Sequence, residues 1–213
     1  MRLSDLKRAG TALAAGVIVL GAPACVQLLP EQEPSTIFRL APSVPEPGNV
    51  SAAAGQVILI ERPQAPRALA GNRIATERGD GQLAYIAHAT WISPAPDLVQ
   101  ELVLDTFDRE LEGYAAARPV DGVQSRYRLR TELRHFEAVY DQGGNRAPLA
   151  EVVLRARLVD EETRELVAVT TVRGEARAGA NRQGEIVDAM GEAARAAAGE
   201  LAAWTQTVLG EDT

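Results

Sequence analysis

SRYRLRTELRHFEAVYDQGGNRAPLAEVVLRARLVDEETRELVAVTTVR, residues 125–173, decides the fold, because its side chains alternate with the two-residue period of strands. Tyr127, Leu129 and Leu133 fall on one face, and Arg128, Arg130, Glu132 and Arg134 on the other. Phe136, Ala138 and Tyr140 then carry the apolar pattern out of phase, which predicts a β-bulge near His135. After the loop DQGGNR, the stretch Leu149–Asp160 sets Val152, Leu154, Ala156 and Leu158 against Arg155 and Arg157. A polar turn, Glu161-Glu162-Thr163-Arg164, leads to a third strand around Leu166–Arg173. Three strands joined by short polar turns form an antiparallel meander with one apolar face.

That face needs a cover, and two segments supply it. From Asp97 to Tyr114, Leu98, Val99, Leu102, Val103, Phe107, Leu111 and Tyr114 recur at helical spacing, while Glu101, Asp105, Asp108 and Glu112 point away. Ser93-Pro94 suits the start of this helix, with Ser at the cap and Pro in the first turn. Gln183–Val208 is an alanine-rich helix whose stripe is Ile186, Met190, Ala193, Ala197, Leu201, Trp204 and Val208. Upstream lie Thr36–Leu40, a candidate first strand, and Gln56–Glu61, a continuous apolar run that suits a strand buried on both faces. Asp80-Gly81 marks a hairpin, followed by Leu83, Tyr85, Ala87 and Ala89 on one side and Ile86 and His88 on the other. The expected architecture is α+β: a single domain with a mixed, mainly antiparallel sheet packed by two main helices. Strand order does not follow from the pattern.

The N-terminal end has a different character. Arg2, Lys7 and Arg8 form a positive head before the apolar stretch Thr11–Ala22, which is shorter than the roughly 20 residues a membrane-crossing helix needs. A charged head, a short apolar core and small residues describe an export signal. The small-residue cluster ends at Cys25, the chain's single cysteine, and Ala22-Pro23-Ala24-Cys25 is similar to a bacterial lipobox. We therefore expect a cleaved signal at 1–24, an acylated Cys25 with palmitate-type chains, a tether at 25–35 and one domain at 36–209. Loss of the head, net +2 from Arg2, Lys7 and Arg8 against Asp5, takes the chain from −7 to −9. So acidic a domain argues against nucleic acid, which demands a basic patch, and against lying flat on anionic lipid.

Catalytic patterns are sparse. His88 and His135 are the chain's two histidines, both inside strand patterns, and spacings such as HExxH, CxxC and GxSxG are absent. Gly79-Asp80-Gly81-Gln82-Leu83-Ala84 fits GxGxxA, but a strand follows where a dinucleotide site needs a helix. The carboxylates of Asp160, Glu161 and Glu162 read as a solvated turn, and those of Asp105, Asp108 and Glu112 as a solvated helix face. No enzyme activity, catalytic residue, metal or cofactor is expected.

Taken in order, these features resemble the ABC-type transport auxiliary lipoproteins, the family of paraquat-inducible protein C. The resemblance runs from about Thr36 to Val208. It rests on the lipobox cysteine, the strand Phe38-Arg39-Leu40, and Val57–Glu61 with Pro66 and Leu69. It continues through Leu83-Ala84-Tyr85 to Trp91, Pro94 and Leu98, and closes with the meander and C-terminal helix. It implies a non-catalytic periplasmic subunit that accompanies an MCE (mammalian cell entry) lipid transporter and docks its MCE-domain protein. Tyr85 and Trp91 are the candidate partner contacts, with core packing as their ordinary alternative, and a homo-oligomer is compatible. Val26 after the cysteine lacks the aspartate of an inner-membrane retention signal, which favours the outer membrane facing the periplasm over the inner membrane. The competing expectation is an outer-membrane chaperone or pilot for a secretin or lipopolysaccharide-export pore. The opening stretch makes one prediction: Cys25→Ala moves the protein from the membrane pellet to the soluble fraction on ultracentrifugation. Unchanged pelleting would remove the lipid tether.

Overall fold

The computed structural model describes residues 34–40 and 56–211. The chain order is β1 (Thr36–Phe38), β2 (Gln56–Ile60), β3 (Arg73–Arg78), β4 (Gln82–Trp91), α1 (Ala95–Glu110), β5 (Tyr114–Ala117), β6 (Tyr127–Tyr140), β7 (Leu149–Asp160), β8 (Leu166–Arg177) and α2 (Gln183–Glu211). Eight strands form one mixed, open sheet and two helices pack on it, the expected α+β architecture.

β6 is the spine. One of its edges pairs antiparallel with β7 from Tyr127↔Asp160 to Val139↔Leu149, and β7 pairs antiparallel with β8. The other edge is divided. β2 runs parallel to the start of β6 at Ile58↔Tyr127, and β3 runs parallel to its end at Ala75↔Glu137. Between them Gln64 bridges the gap, its N–H donating to Thr131 O and its carbonyl accepting from Leu133 N. The antiparallel ladders of β6 with β7 and β7 with β8 are long, and the parallel ones, including β1 with β4 and β2 with β5, are short.

The bulge lies where the phase change placed it, with register shifting between Leu133↔Leu154 and His135↔Val153. Leu129, Leu133, Phe136 and Ala138 thereby all reach the core. Ile58, Leu59 and Ile60 of β2 are buried together, as a continuous apolar run requires. The Asp80-Gly81 hairpin is present with a three-residue connection, in which Gly81 takes the left-handed conformation at φ +80°.

Three expectations need correction. Tyr114 and Glu112 are not on α1: the helix ends at Glu110, Gly113 turns the chain at φ +80°, and Tyr114 opens β5. Ser93 does not cap α1; Pro94 occupies that position without a side-chain bond. Nor is β4 one alternating strand. Arg73↔Thr90 is followed by Ala75↔Tyr85, so a wide bulge holds the intervening residues of β4, with His88 at φ +53°. Gln183 Nε2 at the start of α2 donates to Ala87 O and holds the bulge in place. Leu83 is consequently exposed while Ala89 and Trp91 are buried.

α2 lies across β6, β7 and β8 and packs against α1. Its alanine face allows close approach: a Cβ built on Gly174 of β8 would stand 1.8 Å from Ala193 O. Two exposed strand edges receive helix carboxylates. Asp108 of α1 accepts from Ala116 N on β5, and Glu200 of α2 accepts from Arg173 N on β8. Gly174→Ala forces the helix off the sheet, because the clash is with backbone. We expect a cost of about 2–3 kcal/mol in chemical denaturation followed by far-UV circular dichroism. A neutral result would show that α2 slides freely on β8.

Candidate functional site

The face of β6–β7 turned away from the helices carries the alternate residues of the meander, and arginines dominate its first half. Cross-strand pairing sets Arg130 directly opposite Arg157 and Glu132 opposite Arg155. Like charges so placed repel, and shared carboxylates separate them. Glu61 holds Arg128 at 3.0 Å and Arg130 at 3.3 Å, while Glu132 holds Arg134 at 2.8 Å and Arg157 at 2.5 Å. Glu161 also binds Arg128, at 2.8 Å. Hydrogen bonds from Arg157 and Arg134 hold the Glu132 carboxyl below its ordinary range, and the bond from Arg128 does the same to Glu161.

Asp160 ends β7 with its side chain 6% exposed. Oδ1 accepts from the backbone N–H of Glu162 and Thr163, and Oδ2 from Arg126 Nε at 2.9 Å. The bond from Thr163 N–H, followed by that from Arg126, pushes its carboxyl below the usual range. Asp160 is thus the clasp of the β7–β8 turn. Asp108 likewise binds the β5 edge, so neither carboxylate is a bystander on a solvated surface. Gly79–Ala84 is a hairpin turn entering β4, not a loop entering a helix.

Of the residues singled out in the sequence, Tyr85 is half-buried and packs in part against the core. Its ring sits beneath the Arg73 guanidinium, 3.5 Å from Cζ to centroid, and its hydroxyl donates to Ala68 O at 3.2 Å. The stack and the bond fix the ring in one orientation. Trp91 is 1% exposed and packs against Phe136, with ring centroids 5.7 Å apart. A partner can therefore touch Tyr85 but not Trp91. Cys25, the export signal and residues 25–33 of the tether lie outside the described residues.

The two histidines separate as well. His88 is exposed on the β4 bulge. His135 sits at the β6 bulge, its Nδ1 2.6 Å from Glu137 Oε1, and Phe136 N–H donates to the other oxygen. Glu137, 2% exposed, was not foreseen from the sequence. Burial is the main influence on its carboxyl and pushes it above the ordinary range, against those two bonds. The bulge was the available signal, since the shift in phase sends Phe136 and Ala138 to the core side and sets Glu137 beside His135 on the opposite face. Among the described residues no helix is long and apolar enough to cross a membrane.

A model of the ABC-type transport auxiliary lipoprotein component family matches residues 38–202. Among solved structures, protein XCC0632 from Xanthomonas campestris, of the DUF330 family, is 25% identical with a TM-score of 0.72, over 84% of this chain and 98% of that one. A further crystal structure, of an uncharacterized protein, shares the fold at 16% identity and a TM-score of 0.63, covering 83% and 99% of the respective chains. No curated protein matches.

The Asp160 clasp gives a pH prediction. Its lowered carboxyl stabilises the fold above the unfolded value of about 3.9, and that contribution is lost as pH falls through the still lower folded value. Asp160→Ala should lower the melting temperature at pH 7, and the gap from the parent protein should close as pH drops below about 4. A gap independent of pH would assign the loss to packing instead.

Proposed function

Because the chain belongs to the ABC-type transport auxiliary lipoprotein component family, we propose that it is the membrane-anchored periplasmic auxiliary subunit of an MCE-type ABC system. That system moves lipid between the inner and outer membranes, and this subunit docks its MCE-domain protein without catalysing a reaction. The observation that carries the proposal is the family match over 38–202, which spans nearly the whole folded domain from β1 into α2. The lipid on Cys25 holds the domain at the outer membrane, facing the periplasm. ATP hydrolysis belongs to the partner complex.

The exposed sheet features suit a docking role. Tyr85 is an aromatic already fixed by Arg73 and Ala68, so little side-chain freedom is lost when a partner covers it. Trp91 supports β4 from within the core.

The test is a pull-down of the full-length lipoprotein from detergent-solubilised membranes, with bound proteins identified by mass spectrometry. An MCE-domain protein should be recovered, and Tyr85→Ala should weaken its capture by about tenfold, a contact of 1–2 kcal/mol. Trp91→Phe should lower stability while leaving capture in place. Recovery of a secretin or an outer-membrane barrel in place of the MCE protein would identify a pilot.

A further inference from the structure

Beyond docking, the second half of the open sheet face collects acids where the first half collects arginines. Three glutamates stand directly opposite one another on adjacent strands: Glu137 of β6, Glu151 of β7 and Glu175 of β8. Glu77 of β3 pairs with Val139, two residues along from Glu137, and so projects from the same face. Like charges in direct cross-strand register are destabilising, and nearby cations offset only part of this row. Arg173 reaches Glu151 at 3.2 Å and Glu175 at 3.0 Å. No arginine bonds Glu137 or Glu77 among the described residues.

Glu137 is the costly member. Its side chain is 3% exposed, and its one ionisable partner is the imidazole of His135, itself 43% exposed. A buried carboxylate without a full positive charge beside it is expensive. Against this uncompensated charge stands a favourable geometry. One oxygen each from Glu77 and Glu137 and one nitrogen of His135 all lie within 4.8 Å of one another. Ligands at 2.0–2.2 Å around one tetrahedral centre are about 3.3 Å apart. The His135–Glu137 pair stands at 2.6 Å and has to open slightly to take an ion between its two atoms. A hollow of about 480 Å³ lined by Gln64, Pro66, Glu132, Arg134 and His135 opens beside the imidazole.

We propose that Glu77, His135 and Glu137 form a binding site for a divalent transition-metal ion of the zinc class. Imidazole with two carboxylates is a donor set that such ions accept. Three protein ligands leave a fourth position for water or an incoming group. The ion supplies the charge that Glu137 otherwise lacks, and the β6 bulge brings His135 and Glu137 to a common point. Glu151, across the strand and tied to Arg173, stands behind Glu137 and adds negative potential without being needed as a ligand.

The test titrates Zn²⁺ alone into the detergent-purified, full-length lipoprotein after removal of metal with a chelator. Calorimetry should give one ion per chain, with a melting temperature that rises with Zn²⁺ concentration. Glu77→Gln should weaken binding by at least tenfold. The Glu77 side chain makes no hydrogen bond or ion pair among the described residues, so this variant keeps the fold. His135→Ala should abolish binding, and the visible absorption of the Co²⁺-loaded parent protein should vanish with it. Each variant's melting temperature in chelator reports its folding separately. No binding by the parent protein would overturn the site, as would binding that survives both substitutions, since the ion would then sit elsewhere, for instance at His88.

Discussion

Everything in this domain is ordered by the ladder that β6 makes with three neighbours. β7 occupies one edge along its full length, while β2 and β3 share the other, joined by the single bridge at Gln64. Fourteen residues of one strand thus bring together segments from residue 56 to residue 160, and β8 follows through β7. Such pairings close long loops, so the sheet depends on a strand able to hold partners on both sides simultaneously. The bulge at His135 is what permits it. Without the phase change, Phe136 and Ala138 would leave the core at the point where β3 attaches.

The meander and both helices were legible because their apolar periods are long and regular. Leu149–Asp160 was bounded correctly, and the shift at Phe136 was visible in the sequence. β5 was hidden. Tyr114 follows Phe107 and Leu111 at helical spacing, and the alanines of Tyr114–Ala117 favour helix on their own. Pairing with β2 overrides that preference once Gly113 has turned the chain. The β4 bulge was hidden too, because the strand period predicts that Tyr85 and Trp91 share a face. The inserted residues give them different surroundings, one half-buried under a guanidinium and the other fully buried against Phe136. The acid row at Glu137 depends on cross-strand register, which no local pattern encodes.

The two sides of the sheet divide the work of stability and surface chemistry. Beneath the helices, small residues set the spacing, with Gly174 meeting Ala193. On the open side, arginines and glutamates share partners, and such exposed pairs contribute at most about 1 kcal/mol each. The arrangement of that side is better understood as chemistry presented outward than as a source of stability.

The carboxylates of Asp108 and Glu200 that accept from the β5 and β8 edges have a consequence for assembly. A free edge invites another chain to extend the sheet by strand addition, the route to domain-swapped and fibrous polymers. The proposed anchor at Cys25 would concentrate the protein on a membrane plane, where identical edges meet often. Occupying one donor on β5 and one on β8 with a side chain from a helix of the same domain makes growth at those two edges less favourable.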